Sequence, residues 1–433
     1  MSNSDMQQHV KWFRGSAPYI NAHRNKTFVL YLGGDALAHD NFDNIVNDVA
    51  LLQSLGVRLV LVHGARLQID QSLSEKDIPC SFHTNIRITD SEVLPCVQET
   101  IGKLRIQIEA RLSKGIVNSP MHGAEIHLSS GNFIKARPLG IKDGIDFQHT
   151  GEVRKVNTRA ISQQLDDGAL VLISPLGYSP TGEIFNLSAV ALATRVATDI
   201  GAEKVIYFDS QQGVLNSSGT VINEIQPSEI STTTFRDAEI PIQLELAVHA
   251  CQNGVNRCHL ISFAQDGALL EELFTRDGAG TQVCKESYEQ IRAATIEDVA
   301  GIIELIRPLE EQGVLVKRSR ELLETEISCF NVIIRDGAVV GCAALYPFKS
   351  SGELACLATH PDYRNNERGE LLLQAIEKRA RQLGLDCLFV LTTQSVHWFQ
   401  ERGFEPGTPE QLPSEKKSLY NFQRNSRVFS KPL

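Results

Sequence analysis

The chain has 433 residues but no long apolar run. Its hydrophobic stretches are strand-length and interrupted, so no membrane span is expected. The opening residues, MSNSDMQQHVKWFRG, carry no apolar core of a secretory signal, which points to a cytoplasmic protein. The nine cysteines form no CxxC pair, and no His cluster stands at zinc spacing. Their odd number, and the apolar settings of Cys258, Cys342, Cys356 and Cys387, argue against a disulfide framework or a metal site and for buried, reduced thiols. Basic tracts are missing and the net charge is −10, which speaks against a nucleic-acid partner. Internal repeats and low-complexity tracts are missing too. What remains is an ordinary globular composition, 42% hydrophobic and 22% charged, in a chain long enough for two or three domains.

What is present is first an alternation of strands and helices. TFVLYLG, VRLVLVHG, GALVLISPLG, EKVIYFD and RCHLISFA read as buried strands. Between them lie helical patterns: FDNIVNDVALLQSLG ending at Gly56, a long helix at about 91–114, NLSAVALATRVATDIG and IQLELAVHACQNG. This order predicts a largely parallel sheet with helices on both faces. AEIHLSSGNFIKARPLG reads as a local hairpin inserted between the two halves. Near residue 280 the character changes. The expected division is a first domain over 1–280, a linker over 281–287 and a second domain over 288–433. The second is a small α+β module: a helix opened by Thr295, two strands joined by Asp336-Gly337, the strand GELACLATHPDYR, the amphipathic helix RGELLLQAIEKRARQLG, and LDCLFVLTT.

Two loops suggest anion chemistry. FVLYLGGDAL ends a strand in Gly33-Gly34, a turn that can bring backbone N–H groups to a phosphate. A phosphate loop normally adds a lysine, and here Tyr31 stands in that place. In the second module, Arg364, Arg368 and Gly369 cluster where the strand gives way to a helix. A helix N-terminus with arginines beside it suits a pyrophosphate.

From about 287 to 433 the order of elements resembles the GNAT family of N-acetyltransferases. That resemblance implies acetyl-CoA as co-substrate and no metal. RNNERG then supplies Arg364, Arg368 and Gly369, with Glu370, to the pyrophosphate, although Glu367 replaces the motif's first glycine. The backbone of Leu357, Ala358 and Thr359 would pair with the pantetheine arm. Glu353, at the start of that strand, is the expected general base acting through water. The family's thiolate-protonating tyrosine is replaced by Phe399 in WFQERGF, so either the thiolate leaves unprotonated or another acid serves, with Thr392, Thr393, Ser395 and His397 as candidates and Thr392 the expected catalytic residue.

The first ~280 residues resemble the amino-acid kinases, most closely acetylglutamate kinase. The phosphoryl-transfer residues are lost: Tyr31 for the lysine, Ala65 and Arg66 for loop glycines, Val190 for an aspartate. No kinase activity is expected. Residues that line the inhibitor site of arginine-sensitive kinases are matched in order by Tyr19, Lys204, His259, Glu272 and Gly278, which implies an allosteric L-arginine site. The N-terminal segment would link dimers into a hexameric ring.

The two halves together resemble the bacterial N-acetylglutamate synthases, the amino-acid acetyltransferases of arginine synthesis. L-glutamate is then the acceptor and L-arginine the feedback inhibitor. Its two carboxylates call for cations, and Arg318, Arg424 and Ser426, with the backbone of Val316 and Cys356, are implied as substrate ligands. An arginine-binding regulatory protein with an inactive acetyltransferase module is the alternative, favoured by Glu367 and Phe399. A kinase with an unusual site is the other.

Overall fold

The structure is a computed structural model. It describes residues 3–114, 122–123, 125–230, 233, 235, 240–275, 278–285, 289–335, 338–361, 368–417 and 426–433. The chain divides into two compact units, Met1–Glu286 and Ser287–Leu433.

In the first strand of the first unit, Thr27–Leu32, alternation decides the architecture. Phe28, Leu30 and Leu32 point into one apolar cluster, with helices Phe42–Ser54 and Val93–Leu112. Val29 points into another, with helices Ala189–Ile200 and Ile242–Gln252. A strand buried on both faces belongs in a parallel sheet covered by helices on each side. The sheet has eight strands, in the order Glu224–Ile225, Thr281–Cys284, Arg257–Ser262, Lys204–Asp209, Thr27–Leu32, Arg58–His63, Leu170–Ile173 and Leu128–Ser130. Only the pairing of Thr281–Cys284 with Arg257–Ser262 is antiparallel.

Two expectations are corrected. AEIHLSSGNFIKARPLG is not a hairpin: Leu128–Ser130 joins the edge of the large sheet, and Ile134–Pro138 pairs with Gly151–Val156 in a separate four-stranded sheet. An alternating pattern fixes which side chains face inward but not which strand lies alongside. Thr281–Cys284, assigned to a linker, is a sheet strand in which Thr281 and Val283 are buried.

The second unit is a seven-stranded sheet in the order Glu289–Ala293, Phe330–Arg335, Ala338–Phe348, Ser351–Thr359, Cys387–Thr392, Arg427–Pro432 and Glu405–Gly407. Thr295 and Asp298 form a capping box at the entry to helix Val299–Glu311. That helix covers one face, through Ile302, Leu305 and Ile306. Helix Arg368–Gln382 covers the other, through Leu372, Leu373 and Ile376.

Candidate functional site

The feature that makes a site in the second unit is a ladder that stops early. Ser351–Thr359 and Cys387–Thr392 are parallel neighbours, yet they pair only over Ser351↔Cys387, Gly352↔Leu388 and Glu353↔Phe389. Both strands run on. Cys387–Thr392 stays paired with Arg427–Pro432, and Ser351–Thr359 with Ala338–Phe348. The sheet therefore opens just beyond Glu353. Three residues on, Cys356 has φ +51, and the register shifts opposite it between Cys342 and Ala344. This bulge re-aims the backbone of Cys356, Leu357 and Ala358 at the opening.

Glu353 is buried at the apex, its Oε2 2.8 Å from Lys416 Nζ. Across the ladder from it stands Tyr346, which neighbours Arg318. Arg318 Nη1 donates to the Val316 carbonyl at 3.0 Å, and the Arg318 amide donates to Glu310 Oε1 at 2.9 Å. Burial opposes the charge of Arg318, but the neighbouring Cys356 and Tyr346 side chains outweigh it and push its pKa up. The Tyr346 hydroxyl donates to Glu326 Oε2 at 2.6 Å; burial and that carboxylate keep the phenol protonated, well above its ordinary range. A nearly buried carboxylate at such an opening can take the proton of an incoming amine.

Arg368 is buried at the start of its helix, and a Cβ at Gly369 would stand 3.0 Å from Trp398 Cζ2, so glycine there admits the indole. Glu370 Oε2 accepts from Arg402 Nε at 2.6 Å. The Thr392 hydroxyl accepts from the amides of Gln394 and Ser395. Ser426 lines an open cleft of ≈ 690 Å³ with Thr393, Gln394 and His397. Phe399 is core, edge-on to Trp398 and Phe404. Arg364 and Arg424 lie outside the described residues.

In the first unit, three of the residues matched to the inhibitor site form one chain of buried side chains, and a fourth, Gly278, lies against its end. Lys204 Nζ lies 3.2 Å from His259 Nε2, and His259 Nδ1 lies 2.6 Å from Glu272 Oε1. Glu272 Oε2 accepts the amides of Ala279 at 2.6 Å and Gly280 at 3.0 Å. An ammonium only donates and a carboxylate only accepts, so His259 is the neutral tautomer with its proton on Nδ1. Burial, then the Lys204 charge, lowers its pKa to about 4. Burial works against Glu272, but His259 and the two amides hold it below its ordinary range. Gly278 has φ +67, and a Cβ there would come within 2.5 Å of Glu272 Oε2, so both conformation and space require glycine. Tyr19 packs against the neighbouring core from helix Asn3–His23, whose His23 Nε2 donates to the Leu273 carbonyl at 2.8 Å.

Residues 26–262 match the Amino acid kinase family and residues 299–404 the Acetyltransferase (GNAT) family. The "Amino-acid acetyltransferase" of Ectopseudomonas mendocina is 54% identical, over 99% of this chain and 100% of that protein. The chain belongs to the amino-acid acetyltransferase family. Another member, from Azotobacter vinelandii, is 55% identical over 99% of this chain. The crystal structure of N-acetylglutamate synthase from Neisseria gonorrhoeae complexed with coenzyme A and L-arginine shares 37% identity, over 98% of this chain and 99% of that one, at a TM-score of 0.89. The same enzyme complexed with coenzyme A and N-acetyl-glutamate gives 0.63 at 38% identity. Acetyl-CoA is thus the co-substrate of this amino-acid acetyltransferase.

Sequence reasoning missed two polar residues of the acetyltransferase site, Tyr346 and Lys416. Tyr346 sits in an apolar strand run and reads as core. Lys416 lies in the tail, and nothing local ties it to Glu353.

Proposed function

We propose that the chain moves the acetyl group of acetyl-CoA to the α-amine of L-glutamate, giving N-acetyl-L-glutamate and CoA, and that L-arginine inhibits it by feedback. The observation that carries the reading is Glu353 at the apex of the opened sheet, paired with Lys416 and facing Tyr346 across the ladder. The likeness to a synthase crystallised with coenzyme A and L-arginine supports it. In the proposed mechanism Glu353 takes a proton from the glutamate ammonium, directly or through water. The backbone at Leu357, Ala358 and Thr359 holds the pantetheine arm. Arg364, Arg368, Gly369 and Glu370 hold the pyrophosphate at the helix start. Arg318, Arg424, Ser426 and the backbone of Val316 and Cys356 hold the two carboxylates. The nitrogen attacks the thioester carbon, the C–S bond breaks, and Thr392 is the candidate to protonate the thiolate.

The first unit is a sensor in this reading, not a kinase. Around Tyr31 the neighbouring charges include Asp35 and Asp209, which with burial push its pKa up. The Asp35 carboxylate folds back over Gly33, where a phosphate would need positive charge. L-arginine is assigned to Tyr19, Lys204, His259, Glu272 and Gly278, its guanidinium meeting Glu272. The test is CoA release from acetyl-CoA and L-glutamate, with and without L-arginine. Glutamate-dependent release that arginine suppresses is expected. Glu272→Gln should weaken that suppression by about tenfold or more, as losing a charged hydrogen bond requires. Release that arginine leaves untouched in the parent chain would remove the sensor and keep the transferase.

Helix Asn3–His23 leaves Trp12 52% and Phe13 63% exposed. Such side chains suit burial against a second copy, as the hexameric ring requires. Light scattering is expected to find an oligomer; a monomer at working concentration would refute the ring.

A further inference from the structure

Acyl transfer needs a primary amine whose proton a base can take, held beside the thioester. The chain already places a primary amine beside its own candidate base. Lys416 Nζ stands 2.8 Å from Glu353 Oε2 at the apex of the opened sheet. Glu353 is nearly buried, and less than a quarter of the Lys416 side chain is exposed, so both groups are largely withdrawn from solvent. The lysine is anchored. Leu412, just before it, packs with Phe389 and Val428. Phe389 is the ladder partner of Glu353, so helix Ser414–Lys417, which carries Lys416, follows a residue packed beside that rung. Other lysine–carboxylate pairs of the second unit differ: Lys431 joins Glu377 on helix Arg368–Gln382, away from the opening.

We propose that Lys416 is a self-acetylation site: without an amino-acid acceptor, its ε-amine takes the acetyl group of acetyl-CoA, with Glu353 as base. This rests on the acetyl-transfer reading above. The Lys416 ammonium gives one proton to Glu353. Its lone pair attacks the thioester carbonyl carbon, the C–S bond breaks, and the second nitrogen proton goes to the leaving thiolate. The products are Nε-acetyl-lysine and CoA, and Glu353 returns its proton to water. The ε-amine occupies the place an incoming α-amine must take, so acceptor and lysine compete. Acetylation removes the cation, and with it the ion pair that ties helix Ser414–Lys417 to Glu353.

The full-length chain is incubated with acetyl-CoA alone, and acetylated lysines are mapped by peptide mass spectrometry. Lys416 is expected to react at least about tenfold faster than the exposed Lys349 and Lys378, a modest share of what a general base contributes. L-glutamate should suppress the reaction, Glu353→Gln should abolish it, and Lys416→Arg should leave no acetyl group at 416. Should Glu353→Gln fail to fold by circular dichroism, glutamate competition on the parent chain decides. Acetylation of Lys416 no faster than that of Lys349, or indifferent to glutamate, overturns the proposal. CoA release with glutamate, measured on the same preparation, then shows that the acetyl-transfer reading survives. A preparation that acetylates Lys416 but releases no CoA with glutamate keeps the site and sinks the glutamate assignment.

Discussion

Glu353→Gln is expected to lower turnover with L-glutamate by about 10²–10⁴-fold, the range a positioned general base contributes. The glutamine amide oxygen still accepts from Lys416, and the strand keeps its ladder, so the fold should persist. The binding of acetyl-CoA should change little, because its proposed contacts lie on Leu357, Ala358, Thr359 and the helix start. The loss belongs in kcat. It should also shrink as pH rises, because free amine then forms without help. Steady-state CoA release over a pH series measures this. A loss below about tenfold would leave Glu353 no important chemical part.

The second large effect is acid lability confined to the first unit. His23, His63 and His259 are buried there, and burial lowers each pKa to about 4. Unfolded, each would titrate near 6.5. Between about pH 6.5 and 4 the unfolded chain therefore binds more protons than the folded one, and stability falls as pH falls. Each histidine can cost up to roughly 3 kcal/mol at the acid end. Asp48 acts in the opposite sense. Burial and Asp266 raise its pKa to about 7, so its folded form gains on acidification and offsets about one histidine. The net loss is several kcal/mol, a large part of the roughly 5–15 kcal/mol a domain has. No histidine is buried among the second unit's described residues. Its strongly shifted carboxyl, Asp298, is lowered to about 2, chiefly by the Arg292 hydrogen bond, so its stabilisation is kept at about pH 5 and is lost only as pH falls from the ordinary carboxylate range toward 2. Hydrogen exchange read by mass spectrometry at about pH 7 and about pH 5, corrected for intrinsic rates, separates the units. Loss of protection confined to the first is expected; equal loss in both would refute the argument.

Much of the fold was legible because burial imposes simple patterns. Thr27–Leu32 and Lys204–Asp209 are nearly continuous apolar runs, which only a doubly covered strand requires. Gly201, in the left-handed conformation, ends its helix where the sequence places a stop. Glu353 was read as a carboxylate at the start of a strand, and the structure buries it there beside Lys416. Pairing was harder. Leu128–Ser130 and Ile134–Pro138 look like one hairpin, yet they serve two sheets, because short alternating strands carry no mark of their partners. The Lys416–Glu353 contact was hidden for a related reason. A lysine in a polar tail looks like a solvated cation until the tail is folded over the sheet. Phe399 shows the converse: its identity followed from core packing against Phe404 and Trp398 once the structure was in hand.

The last rung of the short parallel ladder, Glu353 opposite Phe389, also acts as a folding check. Side chains on a strand alternate between faces, so a slip of one residue exchanges the places of Glu353 and Leu354. The carboxylate would then enter the apolar layer built on Leu345, Leu372 and Leu388, at a cost of several kcal/mol, and Lys416 would face a leucine. A misregistered chain is thus unstable as well as inactive. Inactive copies of this kind unfold readily and are open to proteolysis, so they do not persist beside the working ones.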